Sequence, residues 1–278
     1  MRAALAQLAP RLRDKEANLA AIERTVARAD ADLVMFGELF LSGYMARDAF
    51  PRLAETVPGP ATERVARTAR EHGAHILFGM PERDAGARHL YNAAVLVAPD
   101  GALHRYRKIH PANFGPFEEG LYFGRGSEVV VAETKVGRIG LMVCYDSFFP
   151  ELAKACALRG ADILAIISAA PATSKSLFDK VLPARAVENA AFVLYANLVG
   201  TELNMVFQGG TQAIGPRGED LGRARDFEEQ VVLADVDLAQ LGPAREMRPT
   251  VRDTRRELWE AVAPGGRATG AKRRKARR

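Results

Sequence analysis

The chain has 278 residues, 48% of them hydrophobic, enough to bury a sizeable core as one large domain or two smaller ones. Two cysteines, Cys144 and Cys156, are too few for a disulfide framework, and no apolar run approaches membrane-spanning length, so a reduced, cytoplasmic protein is expected. The formal charge of +5 belongs to the end of the chain: the stretch from Gly265, GGRATGAKRRKARR, carries seven Lys or Arg and no acid, leaving about −2 (5 minus 7) on the remainder.

In chain order, RAALAQL reads as a strand, residues 14 to 29 as a helix, DLVMF at 32 to 36 as a short buried strand, and residues 61 to 72 as a helix ended by Gly73. Strands then dominate. HILFGM, LYNAAVLVAP and ALHRYRKI read as successive strands, with a hairpin turn at Asp100-Gly101 between the last two. After a loop rich in Gly and Phe (113 to 126), SEVVVAE and RIGLMVC flank a turn around Gly137, and the second ends on Cys144. FPELAKACALRG reads as a helix with Pro150 in its first turn, followed by the strand DILAIIS, a helix over 175 to 190 and the buried strand AFVLYANLVG. Residues 205 to 237 read as strands around a turn at Pro216-Arg217-Gly218. The alternation predicts one α/β domain to about residue 262, with no internal sequence repeat, followed by a basic tail at 263 to 278. That tail has the charge to contact nucleic acid, but without aromatics or helical periodicity it reads first as a disordered solubilising terminus. No zinc-ligand spacing, phosphate-cradling loop or cofactor motif is present, so neither metal nor cofactor is expected.

Cys144 stands where an apolar strand, GLMVC, gives way to a sharp turn and a helix start, a position that favours a thiolate. Cys156, on an apolar helix face, reads as structural. The usual partner of a catalytic cysteine is a histidine, yet none of His72, His75, His89, His104 or His110 stands in a telling context. Two other charges stand at strand ends: Glu38, directly after a buried strand in VMFGELFLSGY, and Lys108, before an aromatic, acidic loop in HRYRKIHPANFGPFEEG. Either alone reads as the chain surfacing. Arg185, in RAVEN, reads as a buried partner for an acid such as Glu151 at least as well as a ligand clamp.

Glu38 in FGELFLSGY, Lys108 in YRKIHPANFGPFEEG and Cys144 in GLMVCYDSFFPE, in this order, resemble the nitrilase, or carbon-nitrogen hydrolase, superfamily and its Glu-Lys-Cys triad. RGADILAIISAAP, RAVENAAFVLYANLVG and GGTQAIGPRGEDL extend the resemblance to nearly all of residues 2 to 260. It implies a four-layer α-β-β-α sandwich of the nitrilase type, usually as a homodimer, and a second glutamate after the lysine. In FEEGLYF that residue is Glu119, with Glu118 as its neighbour.

The triad serves amidases, carbamoylases, glutaminase domains and nitrilases. Tyr145-Asp146 after the nucleophile resembles the amidase-like branches, whereas the nitrile-hydrolysing branch more often has Trp-Glu. ELFLSGYMARDAF and NFGPFEEGLYF are similar to the glutaminase domain of glutamine-dependent NAD synthetases, but no synthetase domain follows here, and Phe114 replaces a tyrosine of that branch. The expected enzyme hydrolyses a small amide through a thioester on Cys144, with Phe114 and Tyr145 at the substrate and Phe117, Tyr122, Tyr44 and Phe148 as further candidate pocket walls. N-carbamoyl amine or nitrile hydrolysis by the same triad, and a non-catalytic interaction protein on this fold, are the alternatives.

Overall fold

A computed structural model describes residues 1–86 and 89–258; the basic tail expected at 263–278 lies outside the described residues. In chain order the elements are β1 (Arg2–Gln7), α1 (Lys15–Ala29), β2 (Leu33–Met35), α2 (Phe50–Leu53), α3 (Pro60–His72), β3 (His75–Arg83), β4 (Leu90–Val97), β5 (Leu103–Arg107), α4 (Glu119–Tyr122), β6 (Val131–Thr134), β7 (Gly137–Val143), α5 (Pro150–Leu158), β8 (Ile163–Ser168), α6 (Lys175–Asn189), β9 (Phe192–Asn197), β10 (Val199–Glu202), β11 (Met205–Gln208), β12 (Gln212–Ile214), β13 (Asp220–Arg223), β14 (Gln230–Asp235) and α7 (Leu241–Met247). Local chemistry sets the helix ends as read: Asp14 caps α1 by accepting from the Ala17 N–H, and Gly73 ends α3 in the left-handed conformation.

Two six-stranded sheets carry the core, one ordered β14-β1-β2-β3-β4-β5 and the other β13-β12-β9-β8-β7-β6. Alternation along the strands divides their side chains between layers. Ala3 and Leu5 of β1 face the second sheet, in one cluster with Leu77, Leu96, Leu141 and Val143. Ala4 and Ala6 face the opposite way, against Leu19, Ile22 and Val26 of α1 and Val65 and Ala69 of α3. On the far side, Leu152 of α5 and Phe178 and Leu182 of α6 cover the second sheet. The result is the α-β-β-α sandwich that the resemblance implied.

The sheets share one strand pattern that no sequence repeat announced. From β14 through β5 the successive pairings are antiparallel, parallel, parallel, antiparallel, antiparallel. From β6 through β13 the same series recurs through β7, β8, β9 and β12. The repeat lies in pairing geometry, which many apolar sequences satisfy equally well. Among the described residues no helix is long and apolar enough to cross a membrane.

Candidate active site

Glu38 follows β2, and its position is set by backbone. Its N–H donates to the Ser168 carbonyl at the end of β8 (3.1 Å), while β3 passes so close beneath that a Cβ on Gly79 would run into the Leu39 backbone nitrogen. Lys108 follows β5, tied to β4 by its N–H to the Asn92 carbonyl (2.9 Å). Glu119 opens α4, its N–H donating to the Ala112 carbonyl (3.0 Å). Cys144 directly follows β7, which ends one residue earlier than the sequence suggested, and has φ 47°, the sharp left-handed turn of a side chain displayed at a sheet end.

Tertiary structure brings these four segments together. Lys108 Nζ donates to Glu38 Oε1 and to Glu119 Oε1, both at 2.7 Å, and all three residues are buried. Glu38 is clamped further by Asn92 Nδ2 on Oε1 (2.6 Å) and the Ala169 N–H on Oε2 (2.8 Å). Tyr44 donates its hydroxyl to Glu119 Oε1 (2.7 Å). The neighbouring Glu118 points away, to Arg47 at 3.7 Å, so the two glutamates of FEEG separate as expected.

The electrostatics follow from burial and proximity. Burial alone would pull Lys108 down, but the Glu119 and Glu38 carboxylates more than offset it and hold the ammonium above the usual lysine range. Burial raises Glu119, with Lys108 opposing and Glu38 reinforcing the shift. At Cys144 the reading of a favoured thiolate needs correction. Burial pushes the thiol well up, Glu38 adds to the shift, and Lys108 and a hydrogen bond from Ser168 only partly oppose it. The residue begins a 3-10 turn, Cys144–Phe148, and α5 starts only at Pro150, so no long helix points its N-terminus at the sulfur. The thiol therefore keeps its proton at rest, and a base must remove it during attack.

Among the described residues no histidine is one of the groups that shift that thiol. His110 instead holds the turn beside it: Asp146 accepts from the His110 N–H on Oδ1 (2.9 Å) and from the Tyr106 hydroxyl on Oδ2 (2.7 Å), with the His110 ring at 2.9 Å from Oδ1 and stacked on Phe149. This buried carboxylate joins the segment two residues after Lys108 to that two residues after Cys144. Arg185 is a structural partner, but of the Ser147 carbonyl (2.7 Å) and Glu188 (2.6 Å), not of Glu151. Cys156 is buried against Gly140, as its apolar helix face predicted, and both thiols are free.

The candidate substrate aromatics form one cluster. Phe114 and Tyr145 have ring centroids 4.8 Å apart, Phe117 and Phe148 extend the cluster on either side, and Phe114 is half exposed. Tyr122 lies elsewhere, against Phe50 and Phe123. Tyr44, read only as a pocket wall, is a ligand of Glu119. Neither Asn92 nor Ser168 stands out by motif; a lone amide inside LYNAAVLV is the available signal, since a buried polar group in an apolar strand must have a partner.

A family model described as carbon-nitrogen hydrolase matches residues 2–246. The chain belongs to the carbon-nitrogen hydrolase family. The omega-amidase of Homo sapiens is similar to this carbon-nitrogen hydrolase, 34% identical over 245 residues that cover 85% of this chain and 87% of that one. A superfamily protein from Xanthomonas campestris with an arsenic adduct in its active site superposes with a TM-score of 0.84 at 28% identity, covering 92% of this chain and 97% of that one. A variant of a Nesterenkonia amidase carries the acetamide moiety of fluoroacetamide on its active-site cysteine; it superposes with a TM-score of 0.82 at 30% identity, covering 94% and 96%. The carbon-nitrogen hydrolase thus shares its fold with an amidase whose active-site cysteine accepts a covalent acetamide moiety.

Proposed function

We propose that this hydrolase cleaves a small linear amide to a carboxylic acid and ammonia through a thioester on Cys144. The observation that carries the reading is the buried bridge of Lys108 between Glu38 and Glu119, close enough to the Cys144 thiol for all three charges to shift it.

In the first half-reaction Glu38 accepts the Cys144 proton as sulfur attacks the amide carbon. The oxyanion that forms is stabilised by the Lys108 ammonium and the Tyr145 backbone N–H. Glu38 returns the proton to the departing nitrogen, the carbon-nitrogen bond breaks and ammonia leaves. In the second half Glu38 takes a proton from water, hydroxide adds to the thioester, and the carbon-sulfur bond breaks with the proton restored to sulfur. Glu119 holds Lys108 and orients the amide. Phe114 and Tyr145 form an aromatic wall for the substrate, and the pairing partner of the protein is a second copy of itself.

Tyr145-Asp146, together with relatives named amidase and omega-amidase, supports amides over nitriles. The test is an ammonia-release screen over amides, carbamoyl amines, glutamine and nitriles, with Cys144→Ala as the blank. Ammonia from a primary amide is the expected result; release from nitriles and from no amide would overturn the ranking.

A further inference from the structure

Glu202 is a buried acid that the mechanism above does not use. It ends β10, opposite Met205 of β11, and is only 5% exposed. Its Oε2 accepts the Met45 N–H at 2.8 Å, while its buried Oε1 has no hydrogen-bond partner among the described residues. The turn it grips is tightly fitted. Gly43 has φ 78°, and a Cβ there would come within 3.1 Å of Glu202 Oε1.

Between Gly43 and Met45 lies Tyr44. The β10–β11 ribbon therefore holds Tyr44 twice, through Glu202 on its backbone neighbour and through Phe207, whose ring meets the Tyr44 ring edge-on at 6.0 Å. Beyond the ring, the Tyr44 hydroxyl and Lys108 Nζ both donate to the same atom, Glu119 Oε1, each at 2.7 Å. Burial and the neighbouring Glu119 hold the Tyr44 hydroxyl protonated, so it is a permanent donor. With Glu119 Oε2 unpartnered, the orientation of that carboxylate depends on these two bonds alone among the described residues.

We propose that Glu202 is a positioning residue for the hydrolysis, fixing Tyr44 and through it Glu119 and Lys108. The proposal rests on the four-residue site of the preceding section. It carries a pH signature. Burial pushes Glu202 up to about 7, opposed by the backbone N–H groups of Met45 and Tyr44. On the flanking segments Arg13 pairs with Asp48 and Arg47 with Glu118, Arg11 is exposed, and the ribbon itself bears no other charge. Tyr44, Glu119 and Lys108 are the titratable groups beyond. As Glu202 ionises its bonds to the turn become charge-assisted and stronger, so the turnover rate rises through this range.

The experiment measures kcat and KM against pH on a primary amide that the wild type hydrolyses, for Glu202→Gln, Glu202→Ala, Tyr44→Phe and the Glu202→Ala/Tyr44→Phe double variant, with circular dichroism to establish folding. Glu202→Ala is expected to lower kcat about tenfold or more, Glu202→Gln to recover part of it and lose the rise near pH 7, and the double variant to match Tyr44→Phe alone. Independent, multiplying effects, or a Glu202→Ala enzyme within twofold of wild type at every pH, would overturn the proposal. If Glu202→Ala does not fold, Glu202→Gln decides: an unchanged rise near pH 7 overturns it. Should no amide be hydrolysed by any form, the amidase reading fails instead, and the same variants and cycle are read from the rate of Cys144 alkylation by iodoacetamide.

Discussion

The ammonium of Lys108 and the carboxylate of Glu38, 70 residues apart in the chain, meet at 2.7 Å with neither side chain exposed. A pair this deep is costly to form and costlier to break, because either partner left alone is an uncompensated buried charge. Lys108 also answers Glu119, so its removal strands two carboxylates.

Lys108→Met should therefore destabilise the fold by about 3 to 5 kcal/mol and lower turnover by about 100-fold or more. Urea unfolding and ammonia release measure the two effects separately. A stable, active variant would mean that Lys108 neither balances the carboxylates nor stabilises the oxyanion.

Glu38→Gln removes the proposed base and acid. Turnover of amides should fall by about 100-fold to 10,000-fold. An activated p-nitrophenyl ester, whose leaving group needs no proton, should still acylate Cys144 once and stall, because the deacylating water has no base. Stoichiometric release of nitrophenolate, with the acyl mass on Cys144, is the expected record; steady turnover of the ester would remove Glu38 from the second half-reaction.

Glu119→Gln separates electrostatics from positioning at the thiol. The Glu119 carboxylate is one of the groups that raise Cys144, after burial and Glu38, so deleting its charge should shift iodoacetamide labelling of Cys144 to lower pH. Ammonia release should nonetheless fall, since Lys108 loses an anchor. Labelling that moves to higher pH would contradict the assigned sign.

The raised pKa of Glu202 has a consequence for stability as well as rate. Its value in the folded protein, about 7, lies above its ordinary 4.5. The fold thus favours the protonated form, and that stabilisation is complete below pH 4.5 and lost as pH rises through 7. Relative to Glu202→Gln, which cannot ionise, the wild type should lose up to about 3 kcal/mol between pH 4.5 and pH 8. Melting temperatures of the two forms at both pH values test this; a gap independent of pH would show that Glu202 titrates normally.

Tyr106→Phe probes the Asp146 clamp. It deletes the 2.7 Å bond to Oδ2 and leaves that oxygen only the Val143 N–H at 3.2 Å, which should cost about 1 to 3 kcal/mol by thermal unfolding.

Much of this protein was settled locally. Strand alternation, the Asp14 cap, the Gly73 stop and the order of Glu38, Lys108 and Cys144 are written within a few residues of where each acts, and short-range sterics and hydrogen bonding enforce them. Tertiary structure alone decided the rest. That Tyr44 donates to Glu119, that Asn92 and the Ala169 N–H clamp Glu38, and that the Cys144 thiol is held protonated all depend on burial and on charges converging from distant segments. Those forces act through space and add over every neighbour, so no stretch of sequence around Cys144 contains their sum.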